Sequence, residues 1–459
     1  MSRCCAKNFH QYGSCLHSER SVHPDFKRIS NKMNLTLHKV FDLLELAGKL
    51  TCTWPEDSST SKWTNVFRNV RWIFALISMI VLLISLAFGV YHHRSNFLLL
   101  MKTMSEISGT SDVIFDLILC KMNSTQLQIL IQRIRKHLET TSEYENHVIQ
   151  GYLDRYKEFY SVVVVAYVAT GIFFTLAPLF LSQNLPADGW LPFSTESFGI
   201  YCIVYILEVY CVWQAALIFV INITIVILFC FTAARLDILG TKLKQVTCCE
   251  LLVSCVKEHQ EIIEFLGEIE DAVQALLFKM NVTIGISVVT ATFPMLYNQS
   301  LAVTGQFLSL LVSVCARMYI VSKSADDLKE SSLRFSISIN NIQWIGKSRK
   351  MTNIVLIMMQ RSQKPFQVST GGFFPALSLE YYSQVSTFYV NFIHININVL
   401  KITIIIVDND SAVFGYHIFL FYDDENHYKT LIFHDVTTTD TNTSMAFTCC
   451  GAFSPWRSS

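Results

Sequence analysis

Charge is what this sequence has least of. Only 16% of its 459 residues are Asp, Glu, Lys or Arg, against roughly 25% in an average soluble domain. With 51% apolar residues and a mean hydropathy of +0.37, a soluble globule of this size would lack a polar surface. A multi-pass membrane protein is the class this leaves. Neither sign of charge is in excess, at 36 basic and 36 acidic residues, so bulk attraction to nucleic acid has no support. Residues 1–32 contain no apolar core, whereas a signal peptide needs an apolar stretch of about 7–15 residues. The fourteen cysteines form no CxxC pair, and no two His stand beside them at a zinc spacing. A structural metal site is not expected, and Cys inside apolar runs behaves as a small hydrophobe. Phosphate loops, nucleophile elbows and HExxH are missing too, so the sequence calls for neither catalysis nor a cofactor.

What the sequence has instead is long apolar runs. Arg71-Trp72 leads into IFALISMIVLLISLAFGVY, about 20 residues without a charge, long enough to cross roughly 30 Å of hydrocarbon. A second run, Leu98 to Cys120, carries Lys102, Glu106, Asp112 and Asp116. Alone it is marginal, because each charge at a span centre costs roughly 2.5–3.5 kcal/mol. Further spans are expected over Phe159–Leu181, Ile200–Ala233, Leu276–Tyr297, Leu301–Val321 and Leu377–Leu400. The fold class is therefore all-α, with seven transmembrane helices.

Loop charges orient the spans. Segments 121–157, 234–275 and 322–376 hold six, four and eight Lys/Arg, and eleven precede the first span through Arg71. On the other side, residues 93–97 hold only Arg94, while 182–199 and 298–300 hold none. The positive-inside rule then puts the N-terminus in the cytoplasm and the C-terminus outside. G-protein-coupled receptors have seven spans of the opposite orientation. The three basic loops are themselves helix-like: in 250–278, Leu252, Val256, Ile263, Leu266, Val273 and Leu277 recur at mostly helical steps, with Glu258, Glu261, Glu264 and Glu268 facing away. That pattern predicts a cytosolic helical anchor running directly into the fifth span. Residues 1–70 form a cytoplasmic N-terminal region with an amphipathic helix over 35–50, where Leu37, Val40, Phe41, Leu44 and Ala47 share a face. Residues 71–400 form the seven-helix domain. For residues 401–459 two readings stand: an extracellular tail with Asn442-Thr443-Ser444 as a glycosylation acceptor, or a gene-model extension.

Gln360 to Glu380 reads QRSQKPFQVSTGGFFPALSLE. Arg361, Pro365-Phe366, Gly371-Gly372 and Leu377-Ser378-Leu379-Glu380 resemble, in that order, the stretch before the last helix of insect odorant receptors. Trp54-Pro55, EHQEIIEFL before span five, Leu328, Ser331 and Trp344 after span six, and Leu185-Pro186 to Trp190 with Pro192-Phe193 agree with that family. Tyr319-Ile320 departs from its usual Tyr-Cys, no Gly follows, and the chain runs on past the last helix.

The resemblance implies an odour-binding subunit of a ligand-gated, non-selective cation channel in the plasma membrane of olfactory sensory neurons. Its implied partners are a small hydrophobic volatile, the bilayer and a co-receptor subunit in a heterotetramer. A gustatory-type receptor channel is the runner-up, ahead of a G-protein-coupled receptor. In the last helix, Thr387-Phe388-Tyr389 followed by Asn391, His394 and Ile395 looks like the family's pore motif. A ring of Ile395 could then close the pore by dewetting, while a His394 bonded to a neighbouring helix is the competing reading. The family's odorant pocket lies in the outer half among spans two, three, four and six. There Tyr167, Thr170, Gly171 and Phe174 share a face of span three, and Tyr201 and Tyr205 a face of span four. Helix–helix packing is the competing account of each.

Overall fold

A helix of n residues is about 1.5n Å long, so the longest helices in this chain cannot be contained in a membrane. The structure, a computed structural model, describes residues 37–55, 61–181, 183–297, 301–372, 374–392, 415–422 and 428–435. Its helices are α1 (Leu37–Leu50), α2 (Lys62–His92), α3 (Phe97–Met122), α4 (Ser124–Thr140), α5 (Glu143–Phe180), α6 (Phe198–Ala216), α7 (Phe219–Leu243), α8 (Cys249–Tyr297), α9 (Leu301–Asn340) and α10 (Arg349–Arg361). Residues 379–392 form α11. With 49 residues, α8 is about 73 Å long, more than twice the hydrocarbon thickness. The excess length of α5, α8 and α9 falls at one end of the bundle. Together with α4 and α10 it builds the helical anchor that the apolar periodicity predicts.

Local chemistry sets the boundaries. Asn96 caps α3, its side chain accepting the Leu99 N–H at 3.2 Å. Ser142 and Glu145 form a reciprocal capping box that starts α5. One expected span is divided: the run Ile200–Ala233 belongs to two helices, α6 and α7, stepped at Leu217-Ile218. There the Ile218 N–H turns back to Ala215 O at 3.3 Å, a tighter closure than the helical repeat. A further departure from an all-helical chain lies in the tail, where Gly415–Tyr422 (β1) pairs antiparallel with Tyr428–Asp435 (β2), Gly415 opposite Asp435. Asn442, His394 and Ile395 lie outside the described residues.

Burial is arranged for lipid. The α7 helix, apolar nearly throughout, is buried on all sides among α5, α8 and α9. On α2 the exposed residues Phe67, Val70, Phe74, Ile77, Val81, Ile84 and Phe88 form a stripe at steps of three and four. Such a stripe would be a liability in water and is the required surface in hydrocarbon. Among the described residues, five segments are long and apolar enough to span, α6 and α7 counting together. The α3 helix is not among them, because of its charges.

Those charges are paired inside the bundle. Asp112 receives the Arg317 guanidinium at 2.6 Å and the Lys279 ammonium at 2.7 Å, and Asp116 meets Lys279 at 2.6 Å. The Thr283 hydroxyl donates to Asp112 at 2.8 Å. Two acids on α3 thus match one base on α8 and one on α9, all four buried. In the anchor a second network ties α5, α7 and α9: Tyr152 donates to Asp237 at 2.5 Å, Arg334 meets Asp237 at 2.9 Å, and Tyr156 donates to Asp327 at 2.7 Å. His259 lies there too, its ring 4.5 Å from that of Phe335. Burial, reinforced by Arg361, pushes its imidazole down to about 4.

Two outcomes are expected. Removing one member of a buried ion pair costs about 3–5 kcal/mol, while removing both is far milder. Arg317→Met should therefore lower the melting temperature of the detergent-purified chain sharply, and Asp112→Asn/Arg317→Met should recover most of the loss; equal loss in both would sink the pairing account. A folded-state pKa below the unfolded one means the unfolded chain takes up the proton first. The contribution of His259 is therefore complete above about pH 6.5 and lost as pH falls towards 4, so His259→Phe should flatten that part of the stability–pH curve.

Candidate ligand chamber and pore helix

At the end of the bundle opposite the anchor, residues 183–195 fold down between the helices over a chamber of about 520 Å³, within the range of small-molecule sites. Leu98, Leu99 and Lys102 of α3, Leu181, Pro294 of α8 and Val303 of α9 line it, with Gln183, Asp188 and Trp190 of the covering loop. Carboxyls inside the spans hold this loop. Glu208 of α6 accepts the Ala187 N–H at 3.0 Å, and Glu106 of α3 accepts the Asp188 N–H at 2.9 Å. The Lys102 ammonium pairs with the Asp188 carboxylate at 2.6 Å and also donates to Gln183. On α2, Ser85 donates to Trp190 O at 3.1 Å, and its own carbonyl accepts the Trp190 N–H at 3.0 Å. Gly189 is required here: a Cβ would stand 2.2 Å from Ser85 Oγ. Burial lowers the pKa of His93, at the chamber rim, below that of an ordinary imidazole.

The residues picked from sequence sit deeper, between helices. Tyr167 is buried with its ring 6.2 Å from that of Phe219, and its hydroxyl lies beside the Arg317 guanidinium. Thr170 donates to Ala166 O and, at 3.2 Å, to Ser309 of α9. Phe174 packs edge-on against Phe307, with Ala291 and Val303 completing the cluster. Tyr201 stacks on Tyr205, whose hydroxyl donates to Thr175 O at 3.0 Å. Gly171 lets helices approach, since a Cβ there would fall 2.8 Å from Ala216 Cβ. The structure therefore brings Phe174 and Val303 together at the chamber's edge, and joins the other five in contacts between α5, α6, α7 and α9. Lys102, Glu106, Asp188 and Trp190 were absent from the sequence-derived pocket. The signal for the first two was present, because a charge inside a span marks either a partner or a site.

The segment before α11 explains its glycine pair. Gly371 and Gly372 have φ of 87° and 80°, left-handed values that other residues rarely adopt. The turn closes with the Leu377 N–H on Val368 O at 3.0 Å. Along α11, Tyr381, Val385 and Tyr389 face α8 and α9 across a cleft of about 570 Å³ that also touches Asn281, Gly285 and Met318. Glu380, Gln384, Thr387 and Asn391 are exposed at steps of four, three and four, a polar stripe along the helix.

Residues 96–390 match the sequence profile of the 7tm Odorant receptor family. The chain belongs to that family. It is a family of receptors rather than enzymes. Among curated relatives, "Putative odorant receptor 59c" of Drosophila melanogaster is 25% identical over 135 residues, 29% of this chain and 33% of that protein. The match thus spans about a third of that relative's length. Among solved structures, the insect olfactory receptor OR5 of Machilis hrabei superposes with a TM-score of 0.67, in complex with eugenol and without it. The eugenol complex is 15% identical and the other 16%; each comparison covers 79% of this chain and 98% of OR5. That likeness establishes the shared fold.

Gly171→Ala is expected to destabilise the receptor by about 1–3 kcal/mol through overpacking against α6. Ala216→Gly in the same chain should restore part of it, read as the melting temperature of each purified variant. No loss on Gly171→Ala would return this glycine to the role of making room for a ligand.

Proposed function

We propose that this receptor is the odour-binding subunit of a ligand-gated, non-selective cation channel in the plasma membrane of olfactory sensory neurons, working with a co-receptor subunit in a heterotetramer. The observation that carries this reading is the polar stripe on α11. Glu380, Gln384, Thr387 and Asn391 are exposed on a membrane helix, where polar groups face protein or water rather than lipid. His394 continues the same stripe three residues on, and Ile395 follows Asn391 by one turn. Four such stripes around an axis would line a path for a partly hydrated cation, with Ile395 rings closing it by dewetting.

The ligand side is supported by the outer chamber and by the aromatic contacts of Tyr167, Phe174, Tyr201 and Tyr205 beneath it. OR5, which shares the fold, was solved with eugenol, so a small volatile is the ligand class carried over. A ligand that prefers the open arrangement shifts the closed–open balance by its difference in affinity. The basic loops support an anchor and N-terminus in the cytoplasm and a chamber outside, where airborne ligands arrive. The domain division follows: 1–70 cytoplasmic, 71–400 spanning, 401–459 outside.

Whole-cell recording from cells expressing the receptor with a co-receptor tests this. Odour-evoked cation current that persists with G-protein signalling blocked is expected. Current abolished by that block would overturn the channel reading, and an N-terminal epitope stained on intact cells would overturn the orientation. Protonating a pore-lining His394 adds positive charge in the cation path, so lowering pH from 7.5 to 6 should reduce the current, and His394→Gln should remove that dependence.

A further inference from the structure

Resting on the odorant-binding reading, we infer that the outer chamber selects neutral, oxygen-bearing volatiles, such as ketones, aldehydes, esters and phenols. The ligand oxygen accepts a hydrogen bond from the Lys102 ammonium. Two observations carry this. Lys102 is only 7% exposed yet lines the chamber. Its partners on the covering loop are the Asp188 carboxylate and the Gln183 side-chain oxygen. An ammonium has three protons, so one remains for an acceptor inside the chamber. A donor left without an acceptor in an enclosed site is costly, and an oxygenated guest relieves that cost where a hydrocarbon does not.

The charges exclude the alternatives. The Lys102 charge is already matched by Asp188, and the Glu106 carboxyl holds the Asp188 backbone N–H. A ligand carboxylate would crowd acidic groups around a single ammonium, and a ligand ammonium would meet Lys102 itself. A hydrocarbon would fill the apolar wall and leave the remaining Lys102 proton without an acceptor. A neutral acceptor on an apolar body avoids all three penalties, with the body lying on Leu98, Leu99, Leu181 and Pro294.

The test is equilibrium binding of radiolabelled 2-heptanone to the purified full chain, with unlabelled 2-heptanone, heptane and heptanoate as competitors. The ketone should compete at least about tenfold better than either other probe. Because Lys102→Met alone strands Asp188, the informative variant is Lys102→Met/Asp188→Asn, which keeps the site neutral. It should weaken ketone binding about ten- to a hundredfold, the value of a hydrogen bond to a charged donor, while Lys102→Arg should retain part of it. Failure of 2-heptanone to bind, heptane or heptanoate competing equally well, or a double variant that is monodisperse and binds the ketone like wild type would each overturn the inference. In recordings, odour-evoked current with ketone binding indifferent to Lys102 would overturn it and leave the channel reading intact. Ketone binding as expected without any current would support the ligand class and remove the channel reading.

Discussion

Four ionised side chains in one layer of the bundle hold the membrane domain together. Asp112 and Asp116 on α3 stand against Lys279 on α8 and Arg317 on α9 at 2.6–2.7 Å. In hydrocarbon none of them is tolerable alone; together they sum to zero charge and supply each other's hydrogen bonds. The arrangement fixes more than stability. It sets the depth of α3 relative to α8 and α9, because a shift by one turn, about 5.4 Å, would separate every pair. The chamber is built on the ends of these three helices away from the anchor, and the α11 cleft on α8 and α9. Both inherit their geometry from this layer.

The rest of the bundle follows from the solvent being lipid on the outside and protein within. Helix α7 can be apolar all round because it touches almost nothing but other helices, and α2 can expose a stripe of Phe, Val and Ile because its outer neighbour is hydrocarbon. Beyond the membrane the rules change within single helices. Along α8 and α9 the texture passes from apolar to charged, and tyrosine–carboxylate–arginine networks take over from aliphatic packing. One continuous helix crossing both environments makes the anchor and the spans a single mechanical piece.

Most of this architecture is legible in the sequence. Hydrophobic periodicity carries the helices of the basic loops, and 250–278 does continue without a break into the fifth span. The run Ile200–Ala233 reads as one helix because a tightened turn at Leu217-Ile218 leaves no mark on hydropathy. The charges of α3 read as a cost, while the partners of Asp112 lie 167 and 205 residues away, beyond any local pattern. Gly171 shows the same limit. A glycine on an aromatic face is compatible with space for a ligand or with close helix approach, and only the position of Ala216 separates them. The chamber was missed because its cover is a loop held by carboxyls from two different helices.

A ligand at one end can influence α11 only through elements that reach both. Pro294 and Gly285 are both on α8, nine residues apart, about 14 Å of helix rise; Val303 and Met318 are both on α9, fifteen residues apart, about 22 Å. The first of each pair lines the chamber and the second lines the cleft against α11. Lys279 lies six residues, about 9 Å of helix rise, beyond Gly285, and Arg317 immediately precedes Met318, so each helix is gripped by α3 close to where it meets α11. Helices pinned at that depth cannot slide independently, and a displacement at their chamber ends has to appear as tilt or rotation about the charged layer. The packing of Tyr389 against Gly285, its hydroxyl 3.3 Å from where a Cβ would stand, leaves little room to absorb such a movement without moving α11. The charged layer is on this account both the fixed point of the fold and the fulcrum between its two ends.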